Sequence, residues 1–191
     1  MKTILTAMRK KSSGISEDVL SVFERIIQKY EAPDAPDHLY CAKEFSEAMG
    51  EHLTKEQRFR LFEKHGGCMG TGHDKKRKAF ALEHAQKPIA KRLELFAKTY
   101  NRDVILNDDN TISVTFTCSH RYHKVQRDQK KFIPLPPVEL YFERCAGGRL
   151  YELQKALGIK LKIKSIDISS LSENFDNPVV YTVEIAEANN V

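Results

Sequence analysis

Three of the four cysteines fall where the sequence pattern changes. Cys68 lies in a glycine-rich loop ahead of a long helical stretch, and Cys118 closes an alternating strand. Cys145 stands between a strand and the helix expected after it. Boundaries of this kind are where a scaffold presents its binding groups. The segment Ala146-Gly147-Gly148 is expected to open that helix, placing the Cys145 thiol beside unpaired N–H groups at the positive end of the dipole. Both effects favour a thiolate, so Cys145 is the candidate nucleophile and the expected most reactive thiol. The competing reading is that cysteine is a small, often buried hydrophobe. In Cys118-Ser119-His120 the i and i+2 side chains of a strand share a face, so thiol and imidazole can address one site. His120 is the candidate general base. His123 can join from the loop, and Cys68 with His73 offers a second sulfur–nitrogen pair. Cys118, His120 and Cys145 are the candidate metal ligands, and zinc is the metal such donors suit. No Cys-x2-Cys pair occurs, so readings with and without a metal both stand. Arg149, one turn past Cys145, is placed to pair with a ligand carboxylate. Cys68, His73, Cys118 and Arg149 are therefore the ligand-binding candidates. Cys41 is expected only to pack.

The spacing Gly67-x4-Gly72 imitates a phosphate loop, but His73-Asp74 follows where Lys-Ser/Thr is required, and a helix precedes it instead of a strand. A nucleoside-triphosphate site is excluded on that ground. A weaker anion site remains, because the following helix start and Lys75 and Lys76 favour negative charge.

The elements that must hold these residues change period near Arg102. Before it, apolar residues recur at helical spacing: Ile15 to Ile27 with Ser16 as cap, and a second helix opened by Pro36 and stopped at Gly50. A third follows the capping box Thr54-x-x-Gln57 and runs to Gly66-Gly67. A long helix begins near Asp74, and Pro88 should kink or split it. After Arg102 the period is two. Val104 to Leu106 and Thr111 to Cys118 read as a hairpin, and Val138, Leu140 and Phe142 as a third strand. Ala146 to Leu157 is a helix ended by Gly158. Leu161 to Ile168 and Val179 to Ile185 are the fourth and fifth strands. The expected fold is α+β, an antiparallel sheet with helices packed on one side and a helical N-terminal part. Residues 1–53 are the expected helical extension and 54–191 the ligand-binding domain.

Composition sets the outer bounds. Of 191 residues, 41% are hydrophobic and 30% charged, which excludes a mainly disordered chain, a collagen-like fibre and a disulfide-stapled miniprotein. No apolar run approaches the ~20 residues of a membrane helix, and Ile4 to Met8 is too short a core for a secretory signal. Four irregularly spaced cysteines suit a reducing compartment, so a cytoplasmic location is expected. Residues 1–100 hold 19 basic and 14 acidic side chains, whereas residues 101–191 hold 12 of each. The excess of +5 gathers around Lys75 to Lys78 and Lys87 to Arg92. Without interleaved aromatics this reads as a solvated face, and nucleic acid is not the expected partner.

The block Tyr141-Phe142-Glu143-Arg144-Cys145-Ala146-Gly147-Gly148-Arg149-Leu150, then Leu157-Gly158 with the following Lys-alternating strand, then Val179 to Ile185, resembles the end of the 4-vinyl-reductase-like ligand-binding domain. With Phe62 to Cys68 and Phe116-Thr117-Cys118-Ser119-His120 it is similar to bacterial proteins grouped with the L-2-amino-thiazoline-carboxylate hydrolases. The likeness covers about residues 55–187. Where those relatives tend to carry Cys-x-Cys, this chain has Cys118-x-His120 and Glu143-x-Cys145. It also has Ser172 to Asp176 in place of a Gly-Asp…Cys segment. The resemblance implies a small-molecule pocket and, for an enzyme, hydrolytic opening of a cyclic C–N or C–S substrate. Cys145 would then serve as nucleophile or metal ligand. The other reading is a non-catalytic ligand- or metal-sensing module acting through its helices or a homodimer. The residues leave enzyme and sensor both open.

Overall fold

A computed structural model describes residues 1–32, 38–67, 71–117, 135–173 and 177–186. Among these the chain forms seven α-helices and a four-stranded antiparallel sheet, an α+β fold. The helices are α1 (Lys2–Met8), α2 (Glu17–Lys29), α3 (His38–His52), α4 (Lys55–His65), α5 (Asp74–Glu83), α6 (Ile89–Tyr100) and α7 (Val138–Leu157). The strands are β1 (Asp103–Leu106), β2 (Thr111–Phe116), β3 (Leu161–Asp167) and β4 (Val179–Ile185), in the spatial order β1-β2-β4-β3.

Local chemistry sets several boundaries. Ser16 caps α2 by accepting from the Val19 amide. Thr54 and Gln57 form the reciprocal capping box of α4. The long helix expected from Asp74 is split into α5 and α6, with Pro88 as the N-cap of α6. Pro lacks the N–H an uninterrupted helix would need there. Asn101 and Gly158 close α6 and α7 in the left-handed conformation, at φ 49° and 63°.

The expected third strand does not form, and the sheet has four strands. Val138, Leu140 and Phe142 are instead the first turns of α7, which starts directly after Pro137. Their every-second-residue pattern has a different cause. Positions 140 and 142 lie on nearly opposite sides of a helix. Leu140 enters a core built by α1, α2, α3 and α4, whereas Phe142 enters the core between α7 and the sheet. A helix serving two cores shows an alternation that imitates a strand.

The sheet core joins Phe142, Leu150, Leu153 and Leu157 of α7 to Ile112, Val114, Tyr181 and Val183, with Phe80, Leu93 and Phe96 from α5 and α6. Burying each such side chain contributes roughly 1.5–3 kcal/mol. The α4–α7 crossing is closer than ordinary helix packing. A Cβ on Gly147 would stand 2.0 Å from the Phe62 carbonyl oxygen, and one on Gly66 would stand 2.4 Å from the Gly147 carbonyl carbon. Beside it, Arg58 holds Glu143 through Nε and Nη2 at 2.7 and 2.8 Å, a buried two-pronged pair locking α4 to α7.

Candidate functional site

Cys145 is buried, in the third turn of α7, among the side chains of the sheet core. Its position corrects the expectation of a thiol at a helix start. At this depth the backbone N–H groups are engaged within the helix, so the dipole end that would favour a thiolate lies two turns away. Gly147 and Gly148 belong to the α4–α7 crossing, where they let the two backbones approach closely. Cys68, Cys118, His120 and His123 lie outside the described residues. His73 is exposed and takes the N-cap position of α5 without a side-chain cap hydrogen bond. Cys41 is buried in the N-terminal core, where burial pushes its thiol pKa up. Among the described residues no group of three His, Cys, Asp or Glu side chains is arranged to hold a metal.

Arg149 is the sequence candidate that sits in a built electrostatic arrangement. Its Nη1 donates to Glu152 Oε2 at 2.6 Å. The same carboxylate accepts from Arg102, Nη2 at 3.2 Å and Nε at 3.3 Å, and from Arg77 Nη2 at 3.4 Å. One glutamate therefore serves three guanidiniums delivered by α5, by the residues after α6 and by α7. Glu152, Arg77 and Arg149 are 4%, 5% and 9% exposed, while the Arg102 side chain is 34% exposed and forms the solvent side. Burial alone would raise the Glu152 pKa. The charges of Arg149, Arg102 and Arg77 outweigh it and hold the carboxyl below its ordinary value.

Two further contacts frame the cluster. The Arg149 guanidinium lies 4.7 Å above the centre of the Phe116 ring at the end of β2, a cation–π contact. Arg77 also reaches Asp74 at 3.5 Å, and Asp74 accepts a hydrogen bond from the Tyr151 hydroxyl of α7. That hydroxyl is the main cause of the lowered Asp74 pKa. The chain also meets α7 just before Cys68, since the Gly67 amide donates to the Arg144 carbonyl at 2.7 Å. The residue ahead of Cys68 and the ring two residues ahead of Cys118 thus contact one stretch of α7, Arg144 to Arg149.

Sequence reading missed Arg77, Arg102 and Glu152 as members of the site. They are separated by tens of residues, and the only local signal was the i, i+3 spacing of Arg149 and Glu152. Two cavities lie elsewhere. A groove of about 470 Å³ runs between α2 and α3 and is crossed by the Lys29–Glu44 ion pair. A smaller one of about 100 Å³ lies beside the Arg58–Glu143 pair. Among the described residues none of the sequence candidates lines either. No helix among the described residues is long and apolar enough to cross a membrane. Comparison with protein-family models, with curated proteins and with solved structures found no match.

Proposed function

We propose that the chain is a small-molecule binding protein that holds an anionic ligand at the arginine cluster of α7. The observation that carries this reading is the sharing of one carboxylate by Arg77, Arg102 and Arg149. Three guanidiniums converge on Glu152 at this face of α7, and a locally cationic face with one partly exposed arginine favours an approaching anion. Arg102 gives that ligand a route from solvent. The place of Cys145 within a helix gives no support to a nucleophilic role, so binding is the reading we adopt over hydrolysis.

Calorimetric titration of the full chain with succinate and with inorganic phosphate, against glycerol as a neutral control, tests this. Saturable one-to-one binding of at least one anion, weakened in R102Q, is expected. Absence of binding by every anion, or equal binding by R102Q, would overturn the reading.

A further inference from the structure

We infer that the groove between α2 and α3 is the face on which two copies of this chain associate, each laying its basic helix over the acidic helix of the other. The groove holds about 470 Å³, and its floor is apolar, formed by Val22, Ile26 and Ala48. Its two lips differ in sign. Arg25 and Lys29 line the α2 side, whereas Glu44, Glu47 and Glu51 line the α3 side. Lys29 and Glu44 close one end by pairing at 2.7 Å, and Glu47 holds Lys43 of its own helix. The charges left open are Arg25 and Glu51. Arg25 is exposed; its Nε donates to the Ser21 carbonyl at 3.3 Å, and it meets no carboxylate among the described residues. Glu51, its side chain 75% exposed, meets only His52 among those residues, at 3.9 Å.

Symmetry decides what can lie in such a groove. The Lys29–Glu44 pair joins the end of α2 to the first half of α3, and the lining runs from there to Val22 and His52. The helices are therefore antiparallel, and Arg25 lies level with Glu47 and Ala48, one turn from Glu51. An occupant must present acidic groups to α2 and basic groups to α3. A second copy, turned about a two-fold axis parallel to the helices, does both. Its α2 lies over α3, so Arg25 of each copy stands above Glu47 and Glu51 of the other, and Val22 and Ile26 close over the shared floor. A two-fold axis across the helices would instead set α2 on α2 and bring like charges together. Helices of 13 and 15 residues extend about 20 Å. A face of that size belongs to the weak, reversible class of interface, in which charge complementarity sets the register.

Sedimentation velocity of the full chain, from micromolar to millimolar concentration at low salt, tests this with R25E and E51R. Both side chains are exposed, so the fold is retained, and far-ultraviolet circular dichroism checks that it is. The parent is expected to pass reversibly from monomer to dimer and to dissociate as added salt screens the pairs. Each variant alone sets like charges across the interface at both symmetry-related contacts. Its dimer dissociation constant should rise at least about tenfold. Mixed one to one, R25E and E51R should associate more tightly than either does alone, because the reversed charge of one meets the reversed charge of the other. A parent that stays monomeric throughout would overturn the inference and leave the groove to a different occupant. A dimer that ignores both substitutions, or variants that associate no better mixed than alone, would overturn it too.

Discussion

Glu152 is where the electrostatics of the site converge, and its removal separates charge from shape. Glu152→Gln keeps the volume but leaves Arg77 and Arg149 buried without their shared carboxylate. Breaking a buried pair in this way costs roughly 3–5 kcal/mol, and denaturant unfolding of the variant should show a loss of that order. At the other end of the sheet, Asp109 accepts from the Thr111 hydroxyl, from Lys164 and from the Thr111 amide, the first being the largest cause of a pKa lowered to about 2. A folded value below the unfolded one means that this contribution is complete above the ordinary carboxylate range and fades as pH falls toward 2. The stability difference between the parent and Asp109→Asn should be largest near pH 5 and shrink toward pH 2. A difference that stays constant across that range would refute the linkage. At this scale Arg149 was legible in the sequence because it neighbours Cys145. Arg77 was hidden inside a lysine-rich run, and Arg102 looked like the punctuation between a helix and a strand.

Helix α7 joins the site to the rest of the fold, and its close crossing with α4 fixes where Arg144 to Arg149 lie. Gly147→Ala places a Cβ 2.0 Å from a backbone oxygen that cannot rotate away. A loss at or above about 3 kcal/mol, the upper part of the range for overpacking, is expected in thermal or denaturant unfolding. A near-neutral result would mean that the two helices are less tightly apposed. The same helix explains which elements could be read from sequence. Capping residues at Ser16 and Thr54, the interruption at Pro88 and the alternation in β2 and β4 are local signals, and they located their elements correctly. The start of α7 was misread because Leu140 and Phe142 serve opposite cores, so its apolar pattern follows tertiary demand rather than a single helical face. The reactivity expected of Cys145 fell with that boundary. In the folded chain iodoacetamide should label Cys145 slowly, because burial shields the thiol from the reagent. Peptide mass mapping would show the contrary as rapid labelling before unfolding.

Across the whole molecule, two cores share the same pair of helices. Phe59 of α4 and Phe142 of α7 belong to the sheet core, while Leu61 and Phe62 of α4 and Leu140 of α7 belong to the N-terminal core. Residues that bind both cores to common helices should make them unfold together, so far- and near-ultraviolet circular dichroism should trace one coincident transition. Charge is organised on the same scale: Lys75, Lys76 and Lys78 are exposed on α5, and Arg102 follows α6 at the solvent side of the arginine cluster. That arrangement favours an approaching anion. The central claim, a small anion held at this cluster, is tested most directly by side-chain nuclear magnetic resonance. The Nε–Hε signals of Arg102 and Arg149 in the full chain would be followed during titration with inorganic phosphate and succinate. Saturable shifts of both signals with at least one anion are expected, with Arg25 in the α2–α3 groove unmoved. Signals of Arg102 and Arg149 that stay fixed, or that move no more than that of Arg25, would contradict it.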